Sequence, residues 1–280
     1  MAYGSIVITG ASSGIGEACA LHFDKKGYRV FAGVRKESDA EALRKKASER
    51  LTVLMMDVTD PDSLRAAARS IDRKEISGLV NNAGIAVSGP LELIPLDRLR
   101  EQFEVNVFGT VAAIQAFMPL LRQGRGRIIN IGSIGGRLAL PLNGPYAASK
   151  FAIEAITDSL RMELREWGMH VAVIEPGAVR TEIWGKGMKR AEEMIQQFPE
   201  SGLDLYRYLI GKVTEAAKDA ARTAIDPAEV VKAVDHALTS AKPKTRYVVG
   251  KDAKMRLWLN HLPDKKKENL IMKKINSYKT

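Results

Sequence analysis

The stretch Thr9-Gly10-Ala11-Ser12-Ser13-Gly14-Ile15-Gly16 limits the possible folds of this chain more than any other. It follows Ser5-Ile6-Val7-Ile8-Thr9, a short apolar run of the kind buried on both faces of a parallel sheet. The run begins early, so that Met1 to Ile8 already reads as strand-like. Beyond the glycines, the spacing predicts a helix from about Glu17 to Lys26, ended by Gly27, and a second strand over Arg29 to Val34. Strand, glycine turn, helix and strand open a doubly wound α/β sheet that binds dinucleotides. Gly10, Gly14 and Gly16 let backbone N–H groups approach a pyrophosphate at a helix N-terminus. Ser12, Ser13 and Ile15 share that turn. A glycine-rich turn without a ligand is the plainer alternative, and the flanking strand and helix disfavour it.

The second strand ends Gly33-Val34-Arg35-Lys36. An adenosine ribose with a free 2′-hydroxyl is usually held there by an acid. Here Val34 takes that place and two cations follow, which suits a 2′-phosphate. Arg35 and Lys36, with the Ser12 hydroxyl, therefore favour NADP(H) over NAD(H); a merely solvated Arg35 is the alternative. A helix over about Ser38 to Ser48 leads to a strand over Leu51 to Met56, which Asp57 closes. Asp57 either accepts from an adenine amino group or caps its own turn.

Gly78-Leu79-Val80 runs into Asn81-Asn82-Ala83-Gly84, small residues at a strand end that allow a flat ring to come close. A long helix over about Glu101 to Leu121 carries Asn106, a poor residue inside a helix. It marks either a kink with a bound water or a satisfied core amide. Arg127 to Ile131 is a fifth strand, with Ser133 just beyond it. Ligands bind beyond the carboxyl ends of such strands, so Gly10, Asp57, Asn82 and Ser133 converge on one crevice. Pro145 opens a helix to about Trp167, ended by Gly168, and places Tyr146 and Lys150 one turn apart on one face. An ammonium beside a phenol favours the phenolate and lowers its pKa from about 10. A strand over Val171 to Ile174 then runs into Pro176-Gly177 at the same crevice.

These motifs together, Thr9 to Gly16, Asn81-Asn82-Ala83-Gly84, Asn106, Ser133, Tyr146-xxx-Lys150 and Pro176-Gly177-xxx-Thr181, resemble the classical short-chain dehydrogenase/reductase family over about residues 5–181. Ser12 with Arg35, and Leu91-Glu92-Leu93 after Gly89-Pro90, look closest to its 17β-hydroxysteroid and retinol dehydrogenase branch. In one departure, Ser77-Gly78 stand where the family often has an acid before the fourth strand. The resemblance implies a Rossmann-fold oxidoreductase with Asn106, Ser133, Tyr146 and Lys150 as catalytic residues. In this set Tyr146 moves the proton, Ser133 bonds the substrate oxygen, Lys150 tunes Tyr146 and holds ribose hydroxyls, and Asn106 positions a relay water. Cofactor contacts are implied at Gly10, Ser12, Ser13, Gly14, Ile15, Gly16, Arg35, Lys36, Asp57, Val58, Asn82, Ala83, Gly84, Tyr146, Lys150, Pro176, Gly177, Val179 and Thr181. No metal is implied, and a homodimer or homotetramer is expected.

Residues 1–250 are expected to form one domain, with a helical substrate lid over about 182–225. Ile183, Trp184, Met188, Met194, Phe198, Tyr206 and Tyr208 make that lid apolar, which suits a large hydrophobic alcohol or ketone, or serves only to pack the lid. Asp226-Pro227 starts a further helix to about Ser240, and Arg246 to Val249 gives a last strand. The net charge is +10 over 280 residues, and residues 251–280 hold nine cations against three acids. This basic tail interleaves Met255, Leu257, Trp258, Leu262 and Leu270 with its lysines. Such a segment lies on an anionic membrane, closes a pocket or packs on a partner. No nucleic-acid motif accompanies the charge. One cysteine, Cys19, fits a reducing compartment, and a cytoplasmic location is expected, with no signal sequence and no apolar run of spanning length.

Overall fold

Runs such as Ile6-Val7-Ile8 and Val171-Ala172-Val173-Ile174 have no polar face, and each lies in a strand buried on both sides. In a computed structural model, which describes residues 4–278, the strands are β1 (Ser5–Ile8), β2 (Arg29–Val34), β3 (Leu51–Met55), β4 (Gly78–Asn81), β5 (Arg127–Ile131), β6 (His170–Pro176) and β7 (Arg246–Val249). Met1 to Tyr3, the start of the expected strand-like run, and the last two residues of the tail lie outside the described residues. The strands form one parallel sheet in the order β3-β2-β1-β4-β5-β6-β7. The order reverses at β1, whose neighbours β2 and β4 lead in opposite directions. A crevice opens at the carboxyl ends of β1 and β4, the switch point of a doubly wound sheet.

Helices cover both faces. On one lie α1 (Gly14–Lys25), α2 (Glu37–Arg44) and α9 (Pro227–Thr239), packed through Phe23, Leu43 and Val230. On the other lie α3 (Pro61–Ser70), α5 (Gly109–Gly124) and α6 (Gly144–Glu163), with Leu64, Phe117, Leu121 and, just past α6, Leu164 in the core. Phe23 and Phe117 are wholly buried, each contributing about 1.5–3 kcal/mol through apolar surface removed from water. Cys19 belongs to the first of these cores, where burial, and then the charge of Asp235, pushes its thiol up to about 12. It is therefore an inert packing residue.

Helix α4 (Leu96–Phe103) continues through a π-turn at Glu104–Phe108 into α5. The stretch Leu96–Gly124 is long and apolar enough to cross a membrane. This corrects the expectation that no apolar run reaches spanning length. Ala113, Phe117 and Leu121 bury one side of it against the sheet, as a core helix requires.

The lid region is two helices, α7 (Ile183–Ile195) and α8 (Glu200–Arg222). Met194, Ile195, Phe198 and Leu203 pack on Val87, Leu93 and Ile94, so these lid residues hold the lid down. Leu205 and Tyr208 stay exposed. The tail folds back as α10 (Lys251–Leu259) and α11 (Asp264–Asn276). Helix α10 rests on a 3-10 turn at Ile134–Gly136, where the Asn260 amide donates to the Arg137 carbonyl at 2.6 Å. Helix α11 rests on α8, where the Lys212 ammonium donates to the Tyr278 carbonyl.

Candidate active site

Two glycines in the β1–α1 turn are forced by close approach. Gly10 has φ +64°, and a Cβ there would lie 2.8 Å from the Ala83 Cα. A Cβ on Gly16 would lie 2.3 Å from the Gly10 carbonyl oxygen. The turn is locked to the end of β4 by Asn82, whose amide donates to the carbonyls of Thr9 (3.1 Å) and Gly10 (2.9 Å). Thr9 Oγ1 in turn accepts from the backbone N–H groups of Asn82 and Ala83. In sequence Thr9 is only the first residue of the glycine motif, with no role attached to it.

The start of α1 has no side-chain cap, which leaves its first N–H groups to an anion. Thr181 packs against Gly14, and the Glu182 carboxylate bonds the Ser13 hydroxyl. At the far end, Ala11 N–H donates to the Gly33 carbonyl and brings the turn beside the end of β2. Arg35 is largely exposed there, 3.7 Å from Asp57, and Lys36 caps α2 from an exposed position. Asp57 accepts from the Thr59 N–H (2.9 Å) and hydroxyl (2.8 Å), so it caps its own turn. The Val58 side chain is buried against Gly109. Glycine turn, uncapped helix start and exposed cations fit a dinucleotide bearing an extra phosphate.

Asn106 sits in the π-turn, buried. Its Oδ1 accepts from Ile85 N–H (2.9 Å), and its amide donates to the Ile85 carbonyl (3.1 Å) and to Ser149 Oγ (3.1 Å). Of the two sequence alternatives, its side chain is thus the satisfied core amide, in a helix whose register shifts by one residue. Gly84 touches it, since a Cβ there would lie 3.3 Å from Asn106 Oδ1. Gln102 and Ser149 complete the network. Gln102 bonds Val87 N–H, the Ile85 carbonyl and Ser149, and the Ser149 hydroxyl donates to the Tyr146 carbonyl at 2.7 Å. Neither was expected, because a lone Gln and a helix Ser carry no motif.

Ser133 follows β5 and accepts from Gly135 N–H at 3.0 Å. Its hydroxyl also bonds the Tyr146 hydroxyl. Lys150 is buried, and its ammonium donates to the Ile131 carbonyl at 2.8 Å. The ammonium stands 5.8 Å from the centre of the Tyr146 ring. The expected lowering of the Tyr146 pKa is not what the protein alone does. Burial pushes the Tyr146 hydroxyl above its ordinary value, and the Ser133 bond only partly offsets this. Burial likewise pulls Lys150 down to about 8, against the opposing charge of Glu154. Desolvation penalises both charged forms, so near neutral pH the site holds a neutral phenol beside an ammonium.

The loop after β6 is braced by the tail. Gly177 N–H donates to Val249, paired with Pro176 across the sheet, and Ala178 N–H donates to the Asp252 carboxylate of α10 at 2.9 Å. A Cβ on Gly177 would lie 2.1 Å from that carboxylate. Val179 is buried and pairs with Ile225, and its carbonyl accepts from the Trp184 indole. Asp252 gave no signal in sequence, being distant and inside a basic tail.

The family model for short chain dehydrogenases matches residues 5–192. The chain is 40% identical over 280 residues to the dehydrogenase/reductase SDR family member 9 of Bos taurus, covering 96% of this chain and 87% of that protein. It is 38% identical to Homo sapiens retinol dehydrogenase 5, covering 92% and 84%. Among solved structures, a Burkholderia cenocepacia short chain dehydrogenase in complex with NADP superimposes with TM-score 0.75 and 26% identity, over 96% of this chain and 97% of that one.

Proposed function

The chain belongs to the short-chain dehydrogenase/reductase family and is an oxidoreductase of CH–OH groups, and we propose that it interconverts a bulky hydrophobic alcohol and its carbonyl with NADP(H). One observation carries the reading: a neutral Tyr146 hydroxyl bonded to Ser133, with the Lys150 ammonium anchored on Ile131 behind it. Bound cofactor supplies the hydride. Tyr146, kept protonated by burial, gives its proton to the carbonyl oxygen, and takes one from the alcohol in reverse. This protonation state favours reduction near neutral pH. Ser133 bonds the substrate oxygen as charge develops on it. Lys150 holds ribose hydroxyls and replaces the Tyr146 proton. Because the Asn106 side chain is committed to Ile85 and Ser149, a relay water would use its backbone carbonyl. A silent dinucleotide sensor is disfavoured, since Ser133, Tyr146 and Lys150 are all in place.

Arg35 and Lys36 support NADP(H), as does the NADP held by the Burkholderia relative. Arg35→Ala is expected to raise the KM for NADPH about ten- to a hundredfold, the worth of one charged hydrogen bond, and to leave that for NADH nearly unchanged. Steady-state kinetics with both cofactors check it, and an equal loss for NADH would reject the 2′-phosphate role. The exposed Leu205 and Tyr208 of the lid support a hydrophobic substrate, and retinol names the human relative. Incubation with steroid, retinoid, long-chain and small carbonyls tests the class; reduction of small carbonyls alone would reject it.

Cytoplasmic placement, a homodimer or homotetramer, and peripheral membrane contact belong to the same proposal. Val111, Ile114, Met118, Ile156 and Leu160 line a groove of about 500 Å³ between α5 and α6, which supports pairing of two copies. Met255 and Trp258 are each 60% exposed beside exposed Lys251 and Lys254, which supports contact with anionic lipid. Trp258→Ala is expected to lower co-sedimentation with phosphatidylserine vesicles several-fold at low salt. Equal sedimentation of both proteins would remove Trp258 from the contact.

A further inference from the structure

Below Lys150 lies a buried charge cluster that the reaction as described does not use. Glu154 is one turn further along α6, on the face that carries Lys150, and is 6% exposed. Glu175 of β6 is wholly buried. Arg246 of β7 donates to Glu154, to Glu175 at 2.9 Å and to Asp158 at 2.5 Å. Arg137, just past the 3-10 turn, donates to Glu175 at 3.0 Å. Arg161 pairs with Asp158 at 2.7 Å. These, with Lys150, are the charged groups that face Glu154 from α6, β6, β7 and the turn. The segment bearing Ser133 contributes only close backbone: a Cβ on Gly132 would lie 3.0 Å from Glu154 Oε1, and one on Gly136 3.2 Å from its Cγ. The Glu154 carboxyl thus touches the chain that holds Ser133 and lies on the helix that holds Lys150.

Glu154 Oε1 and Glu175 Oε2 are both buried, and neither has a donor among the described residues. Two adjacent carboxylates with an unpaired oxygen each are costly to bury. One proton held between them satisfies both oxygens at once and removes one negative charge. We propose that Glu154 is a positioning residue for the reaction, sharing a single proton with Glu175 and so setting the pH range over which Lys150 keeps its charge. This rests on the role of Lys150 given above. Burial first, and then the charge of Glu175, raises the Glu154 carboxyl to about 7, while Arg246 opposes both. As pH rises past that point, Glu154 becomes an anion one turn from Lys150 and supports the ammonium just where its own burial would discharge it.

The two carboxyls therefore have opposite effects. Glu154→Gln removes the anion for good, while its amide N–H can still donate to Glu175, so the fold is kept and the Lys150 midpoint falls. Glu175→Gln removes the repulsion on Glu154, which then ionises at lower pH, and the Lys150 midpoint rises. The fall is expected to be about one pH unit and the rise only a few tenths of one, since Glu154 is already largely ionised where Lys150 discharges. The test is NMR titration of the Lys150 side-chain signal in the full chain, alongside kcat against pH for NADPH-dependent carbonyl reduction. The alkaline limb of kcat should move down in Glu154→Gln and up in Glu175→Gln, with circular dichroism reporting folded protein. Shifts of one sign in both variants, or none, overturn the proposal, as does a Glu154→Asp midpoint that falls as far as that of Glu154→Gln, because the aspartate keeps the anion. A native chain that reduces no carbonyl rejects the proposed function, whereas the NMR midpoints still decide whether Glu154 tunes Lys150.

Discussion

Tyr146→Phe is expected to reduce turnover about a thousandfold or more and to leave NADPH affinity unchanged. General acid–base catalysis by a positioned side chain is worth about 10²–10⁴, and this hydroxyl is the one bonded to Ser133 at the end of β5. The substitution removes one oxygen and leaves the ring. Lys150 keeps its bond to the Ile131 carbonyl, and the glycine turn is held by Thr9 and Asn82 without Tyr146. Stopped-flow turnover and fluorescence titration with NADPH check the two halves separately. Turnover within tenfold of the native chain would remove Tyr146 from the chemistry.

Gly16→Ala is expected to lower stability by about 1–3 kcal/mol, the usual cost of overpacking, and to weaken NADPH binding about a hundredfold. The new methyl would meet the Gly10 carbonyl at 2.3 Å and the Asn82 amide at 2.4 Å. Neither is the free end of a flexible chain: Asn82 is tied to Thr9 and Gly10, so relief must open the turn from the end of β4. Gly185→Ala in α7 is the control, because a methyl there meets nothing within 4 Å. It is expected to be neutral or to stabilise by about 0.5–1 kcal/mol through helix propensity. Thermal unfolding and cofactor titration of both variants check the contrast.

The parallel sheet was legible because its strands are short apolar runs without a polar face, and Arg29–Val34, Arg127–Ile131 and Arg246–Val249 fall where the pattern puts them. Helix boundaries were less so. Helix α1 begins at Gly14 rather than Glu17, since the last glycines of the turn already take helical positions. The π-turn around Asn106 showed only as an Asn in a poor place, because its cause is the distant Ile85 and Ser149. The side chains proposed as catalytic carry a recognisable spacing. Their supports do not: Thr9, Gln102, Ser149 and Asp252 act through contacts with segments distant in sequence, and Arg246 reaches Glu154 across 92 residues. The raised proton affinity of Tyr146 is not legible in the sequence for a physical reason. Spacing shows that a lysine is near, but it does not show that burial acts on both groups at once.

Transfer of deuterium from reduced, deuterium-labelled NADP to a hydrophobic ketone tests the central claim most directly. With the native chain, mass spectrometry of the alcohol product is expected to show the label on the carbinol carbon, with NADPH well ahead of NADH and Tyr146→Phe forming almost no product. No labelled alcohol from any steroid, retinoid or long-chain carbonyl, with NADPH bound and the protein folded, would contradict it.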